Sequence, residues 1–176
     1  DFDLAAEQHG DRMLLGRLSL AAPVANLAAS GAWGPAGVEV DLSLVLADLA
    51  RVVPALRGQA QVSATVRGAP DDLTLDAQVT GTAGTEGFAP LPLAFGLTAT
   101  GLPDAPVARL EGHATLEGAP VALRAEASRQ PNGDLRLRVE EASWKSARAE
   151  AALALAPGAL LPTGTARLEV AQLEDA

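Results

Sequence analysis

Catalysis needs a nucleophile with a base, a pair of carboxylates, a metal cluster or a phosphate cradle, and this sequence offers few candidates for any of them. Its two histidines, His9 and His113, stand apart with no patterned carboxylate beside either, so neither has the spacing of a metal ligand or a general base. Asp71-Asp72 falls in a turn, where aspartate caps backbone donors. Glu140-Glu141 reads as a strand end. Adjacent side chains on a strand point to opposite faces, so this pair cannot flank one substrate as acid and base. Ser19, Ser43 and Ser63 lack a Gly-x-Ser-x-Gly setting. Gly81-Thr-Ala-Gly84-Thr-Glu-Gly87 has the composition of a phosphate loop. Phe88-Ala-Pro90-Leu-Pro92 follows it, where a helix N-terminus would have to begin, and the segment reads as a structural loop. Trp33 and Trp144 read as packing residues at sheet edges or trough ends. Cysteine is absent, which excludes disulfides and thiolate sites. The expectation is a protein with no catalytic residue, no metal and no cofactor.

Composition narrows the class further. The 176 residues are 48% hydrophobic but only 3% aromatic, with no tyrosine. The apolar content is therefore Ala, Leu and Val, which make apolar surface but few large core anchors. A net charge of −9 argues against a nucleic-acid partner, which needs clustered Lys and Arg. The most apolar stretch, Val45 to Leu56, is cut by Asp48, Arg51 and Pro54, and no run reaches the roughly 18 residues of a membrane-spanning helix. The lack of cysteine suits an oxidising compartment. Asp1-Phe2-Asp3 opens in what reads as mid-strand, so the chain is expected to be one β-rich piece, 1–176, of a longer protein. Any anchor or targeting signal would then lie outside it.

Period-two alternation fills the chain, the pattern of sheets with one dry and one wet face. The clearest stretch is 47–81. Ala47 to Pro54 holds one short helical turn with Leu49, Val52 and Val53 on one side, ended by Pro54. Gln59 to Arg67 then alternates, Ala60, Val62, Ala64 and Val66 against Gln59, Gln61, Ser63, Thr65 and Arg67. Gly68-Ala69-Pro70-Asp71-Asp72 turns the chain into Leu73, Leu75, Ala77 and Val79.

Before this stretch, Phe2, Leu4 and Ala6 mark an opening strand. Leu14, Gly16, Leu18 and Leu20 oppose Leu15, Arg17, Ser19 and Ala21. Val24 to Trp33 is a strand of undefined face, and Val38 to Leu46 alternates cleanly. After it, Thr80 to Pro92 reads as a loop or irregular edge. Dry faces follow at Leu93 to Ala99, at Leu110 to Leu116, at Val121 to Ala127 and at Leu135 to Val139. Pro131-Asn132-Gly133-Asp134 is the strongest hairpin signal. Ala147 to Leu155 alternates, Leu161-Pro162-Thr163-Gly164 breaks the pattern, and Ala166, Leu168 and Val170 begin a last strand. The segments 41–49 and 165–173 can be superposed, Leu44 on Leu168 and Leu46 on Val170, which places the start of a further unit at 163–176.

Strands at intervals of about ten residues predict an all-β antiparallel meander. The uniform Ala/Leu/Val face favours an elongated, curved sheet folded lengthwise around an apolar trough, with one short helix. Phe2 to Gln8 and Ala166 to Val170 are expected at its edges.

Three segments carry a family resemblance. Ala47-Asp48-Leu49 at the helix start, Pro54-Ala55-Leu56-Arg57-Gly58 as the link and Gly68-Ala69-Pro70-Asp71-Asp72 as the turn resemble the repeating unit of the TamB family of AsmA-like periplasmic proteins. Pro162 to Leu168 resembles the start of another unit. The resemblance implies a β-taco fold and a periplasmic location in a Gram-negative bacterium, with the full-length protein anchored in the inner membrane. It also implies an Omp85-type outer-membrane barrel partner (TamA-like) and a role in carrying phospholipid to the outer membrane or assisting outer-membrane protein assembly.

From the residues themselves, an Ala/Val/Leu trough can hold acyl chains or hydrophobic β-strand segments by non-directional burial. The candidate lining residues are Val62, Val66, Leu75, Val79, Phe95, Leu97, Leu110, Leu116, Leu123, Leu137, Val139 and Leu153. The alternative reading is a structural β-solenoid or sandwich segment of a surface adhesin or autotransporter.

Overall fold

The computed structural model describes residues 2–22, 25–85, 90–116, 118–159 and 161–171. They form one antiparallel sheet of twelve strands in sequential order. The strands are β1 (Phe2–His9), β2 (Arg12–Ala22), β3 (Ala25–Gly34), β4 (Gly37–Leu46), β5 (Leu56–Ala69), β6 (Asp72–Thr85), β7 (Leu91–Leu102), β8 (Val107–Leu116), β9 (Ala119–Arg129), β10 (Leu135–Trp144), β11 (Ala147–Leu155) and β12 (Thr163–Val170). The sheet is not closed: β1 and β12 are its two outer strands, where the sequence places its edges.

A compact monomer of this mass exposes about 8,000 Å², whereas this chain exposes 11831 Å². The excess follows from the single layer. Each strand packs against its sequence neighbours, and neither a second sheet nor a closed coil covers the apolar face among the described residues. The described residues form no solenoid or sandwich interior of the kind the alternative reading expects. Only Ala29, Ala60, Ala99 and Ala125 are buried hydrophobic residues among those described, still 6–9% exposed and each flanked by neighbours on adjacent strands.

The helical turn is shorter than the periodicity predicts. One 3₁₀ turn, Leu49–Arg51, starts where the Asp48 carboxylate accepts the Ala50 N–H at 3.0 Å. It stops at once, because two β-branched residues and then Pro54 disfavour further helix. Val52 and Val53 are exposed rather than packed.

Other differences from the periodic reading have local causes. In β2 the pairing slips around Gly16 and Arg17, so Leu15 and Leu18 share one face and Leu14 joins the polar one. The expected grouping of Leu14 and Gly16 with Leu18 is thereby corrected. The bulge also resolves β3, whose Leu27, Ala29 and Gly31 face with Leu20, Leu18 and Leu15. Residues Thr80 to Thr85 and Leu91-Pro92 are strand rather than loop, because Thr80 to Thr85 pair with β5 and Leu91-Pro92 pair with Ala83 and Thr82 of β6. Gly81 to Thr85 of the glycine-rich segment therefore belongs to a ladder, and residues 86–89 lie outside the described ones. Thr163 and Gly164 likewise start β12 instead of breaking the pattern.

The Asn-Gly hairpin forms, but not as a two-residue turn. Gly133 N–H donates to the Gln130 carbonyl at 2.8 Å, and Gly133 has φ +88°. Pro131 fixes its own φ near −65°, which suits a type I turn followed by a glycine bulge and excludes the type I′ turn. Two-residue turns occur elsewhere, at 10–11, 35–36 and 70–71 and at Lys145-Ser146, between the paired Trp144 and Ala147. In the last of these Lys145 adopts φ +50°, with Nζ 4.5 Å from the Trp144 ring centre.

Candidate functional site

In an antiparallel ladder, residues directly opposite each other share a face. Following the register from strand to strand shows what lies on each face. One row starts Leu4–Leu18–Ala29–Leu42–Ala64–Ala77. It continues Leu97–Leu110–Ala125–Val139–Ala151–Ala166. A second row crosses from Ala6 and Leu15 through Val40, Val66 and Leu75 to Leu137, Leu153 and Gly164. A third runs from Leu20 through Leu44, Val62, Val79 and Phe95 to Leu123 and Leu168. Every position in the first row is apolar, on all twelve strands. Leu44 and Leu168, superposed in the sequence comparison, fall in the same row.

The structure thus places all twelve candidate lining residues on one face. Val62, Val66, Leu75, Val79, Phe95, Leu97, Leu110, Leu123, Val139 and Leu153 are half-buried. Leu116 and Leu137 are more open, at 38% and 40% exposure. Exposure on this face rises toward the outer strands and reaches 69% at Leu168, which has fewer neighbours to lean on.

One bulge keeps the face in phase. In β10, Val139 pairs with Ala125, then Glu141 with Arg124 and Ala142 with Leu123, leaving Glu140 as the extra residue. Without it, Ala142 and Trp144 would turn to the polar side. Glu140-Glu141 is therefore not a strand end with carboxylates on opposite faces. Both residues are exposed, inside a strand, and Glu141 lies 3.8 Å from Arg124 on the polar face.

Phe95 is the one aromatic residue in the middle of the strip. Its ring lies over Gly112 of the neighbouring strand, so a methyl group on residue 112 would overlap the ring. Gly112→Ala is expected to displace Phe95 and cost about 1–3 kcal/mol, as overpacking does. The shift in the urea unfolding midpoint reads it, and in Phe95→Leu, Gly112→Ala should cost less.

The two tryptophans mark opposite long margins of the strip. Trp33 ends β3 opposite Met13 and is 65% exposed. Trp144 ends β10, and its indole N–H donates to the Leu116 carbonyl at 3.1 Å across the intervening strand.

The opposite face is polar and ordered by cross-strand pairs. Arg109–Glu126 (3.0 Å), Arg124–Glu111 (3.3 Å) and Arg67–Asp76 (2.9 Å) join neighbouring strands, and Thr65 donates to Asp41 at 2.7 Å. Such exposed pairs are worth about 0–1 kcal/mol each, so they orient the face rather than hold the sheet. Gln61, Arg67, Asp76, Glu111, Arg124, Arg136 and Glu150, polar members of the alternating strands, all lie on it. His113 is here too, and His9 is exposed at the end of β1.

Among the described residues no group of three or more His, Cys, Asp or Glu is placed to hold a metal ion, and no buried polar side chain occurs. No helix among the described residues is long and apolar enough to cross a membrane. Compared with known proteins, the chain matches no protein-family model, no curated protein and no solved structure.

Proposed function

We propose that this chain is a non-enzymatic segment of a TamB-like hydrophobic conduit, which carries phospholipid acyl chains, or apolar β-strands in transit, along its dry face. The observation that supports this reading most is the row from Leu4 to Ala166, apolar at every one of twelve strands and covered by no second layer among the described residues. At about 4.8 Å per strand step, such a row is about 50 Å long. A methylene chain lying on it gains roughly 25 cal/mol per Å² of buried apolar area and meets no unpaired polar group as it slides. Selectivity needs no particular residue, in keeping with the absence of any motif.

The sheet bends about this strip on the same reading. Bulges in β2 and β10 and the glycine at Gly58, with φ +121°, are the devices that curve sheets, and the greater shielding of the middle strands agrees with a concave face. In the full-length protein the segment would work in the periplasm of a Gram-negative bacterium, between an inner-membrane anchor and an Omp85-type barrel.

The test is site-specific photocrosslinking in a Gram-negative periplasm, with the crosslinker at Leu97, Val139 or, on the polar face, Gln78. Lipid adducts at Leu97 and Val139 but not at Gln78 are expected, identified by mass spectrometry. Failure to capture lipid or apolar polypeptide at any dry-face position rejects the conduit.

A further inference from the structure

On the polar face of the last three strands, two residues of each strand form a small grid. Arg136 and Arg138 of β10 lie opposite Ala154 and Ala152 of β11, which in turn face Thr163 and Thr165 of β12. The alanines are short beside the arginines of β10. They leave a concavity of about 520 Å³, lined by both arginines, both alanines and Thr163. Ser128 and Gln130, hydrogen-bonded to each other at 3.1 Å, close one side. Glu126 also lines it, but its carboxylate is engaged by Arg109 at 3.0 Å. Arg136 and Arg138 have no hydrogen bond or ion pair among the described residues, although acidic residues outnumber basic ones 22 to 13 in this chain.

We infer that this grid is a phosphate-binding site. Two guanidinium forks on one wall and the Ser128 hydroxyl beside them can meet the several oxygens of one phosphate above the alanine floor, while the Thr163 hydroxyl opposite donates to the Ala154 carbonyl at 3.4 Å; arginine suits that multidentate contact. Glu126 lies opposite Arg138 but is drawn to Arg109 at 3.0 Å, so a bound dianion would supply the counter-charge that the two arginines, two residues apart on one strand face, lack. A chain of net charge −9 repels anions at long range, so any phosphate held here is held by local contacts. The site lies on the face opposite the apolar rows and does not depend on the conduit reading.

Two probes separate the sources of the phosphate: inorganic phosphate, titrated by calorimetry, and vesicles of phosphatidylglycerol, in a sedimentation assay. Saturable binding of either is expected, with Arg138→Gln weakening it at least tenfold. Ala152→Leu, which keeps every charge but fills the floor, should weaken it comparably. Arg148→Gln, on the same face outside the grid, should change it less than twofold. Binding of inorganic phosphate identifies a soluble ligand, and binding of vesicles alone identifies a lipid headgroup. Circular dichroism confirms that each variant folds. The inference is overturned if neither probe saturates, if Ala152→Leu binds as wild type, or if Arg148→Gln weakens binding as much as Arg138→Gln.

Discussion

Leu97→Asp is expected to abolish lipid crosslinking at the neighbouring row position Leu110 while the sheet stays folded. Leu97 sits in the middle of the row, between Ala77 and Leu110. A carboxylate there must keep its water or take a proton, and either breaks the dry contact that a sliding chain needs. The stability cost separates an open strip from a sealed core. An unpaired charge sealed in a core costs about 4–5 kcal/mol or more and would unfold a domain of ordinary stability. Leu97 is only half-buried and no second layer of the described residues lies over it, so the new carboxylate can reach water. The expected loss is then about 2–3 kcal/mol, the transfer of part of one leucine plus partial desolvation. Leu137→Asp, at a more open position, should cost less still. The measurements are the crosslink yield at Leu110 and the urea midpoint. A variant that unfolds outright would show that the face is sealed, and undiminished crosslinking would show that cargo does not use the row.

The largest loss of stability is expected from Gly58→Ala. Gly58 has φ +121°, a conformation that L-residues avoid, and a methyl group on it would overlap the Thr82 carbonyl oxygen of the adjacent strand. Gly81, diagonal to it across the β5–β6 ladder, meets the Gln59 carbonyl in the same way, so neither strand can yield without moving the other. Strain and overlap together are expected to cost about 3 kcal/mol or more, and to disturb pairing on both sides of β5. Gly96→Ala is the control. It lies in β7 with nothing nearer to a new methyl than the Glu111 carbonyl oxygen at 4.0 Å. Its expected effect is within about 0.5 kcal/mol. Equal unfolding midpoints for the two variants would contradict the close backbone approach at Gly58.

Alternation alone determined which residues share the dry face wherever the phase runs unbroken. In β4 to β9, Val40, Val62, Leu75, Leu97, Leu110 and Leu123 could be assigned from the sequence because a period of two admits two phases and only one is apolar. The outer strands at Phe2 to Gln8 and Ala166 to Val170 were legible too, as the first and last members of a sequential meander.

What alternation cannot show is where the phase slips. Leu14 and Leu15 are both leucine, so nothing local says which one faces inward. The answer comes from β3, where Gly16 and Arg17 together oppose Ser30. Glu140 is similar, because only pairing of Val139 with Ala125 and of Ala142 with Leu123 makes it the extra residue. The segment from Gly81 to Thr85 has loop composition, yet it is strand because β5 and β7 run beside it and satisfy its backbone. The arginine grid over Ala152 and Ala154 was likewise invisible, since its members come from three strands and meet only through the register of two ladders. Local side-chain chemistry thus determined the faces, while the hydrogen-bond register between strands decided which residues became neighbours, because each bulge shifts every later side chain by one face.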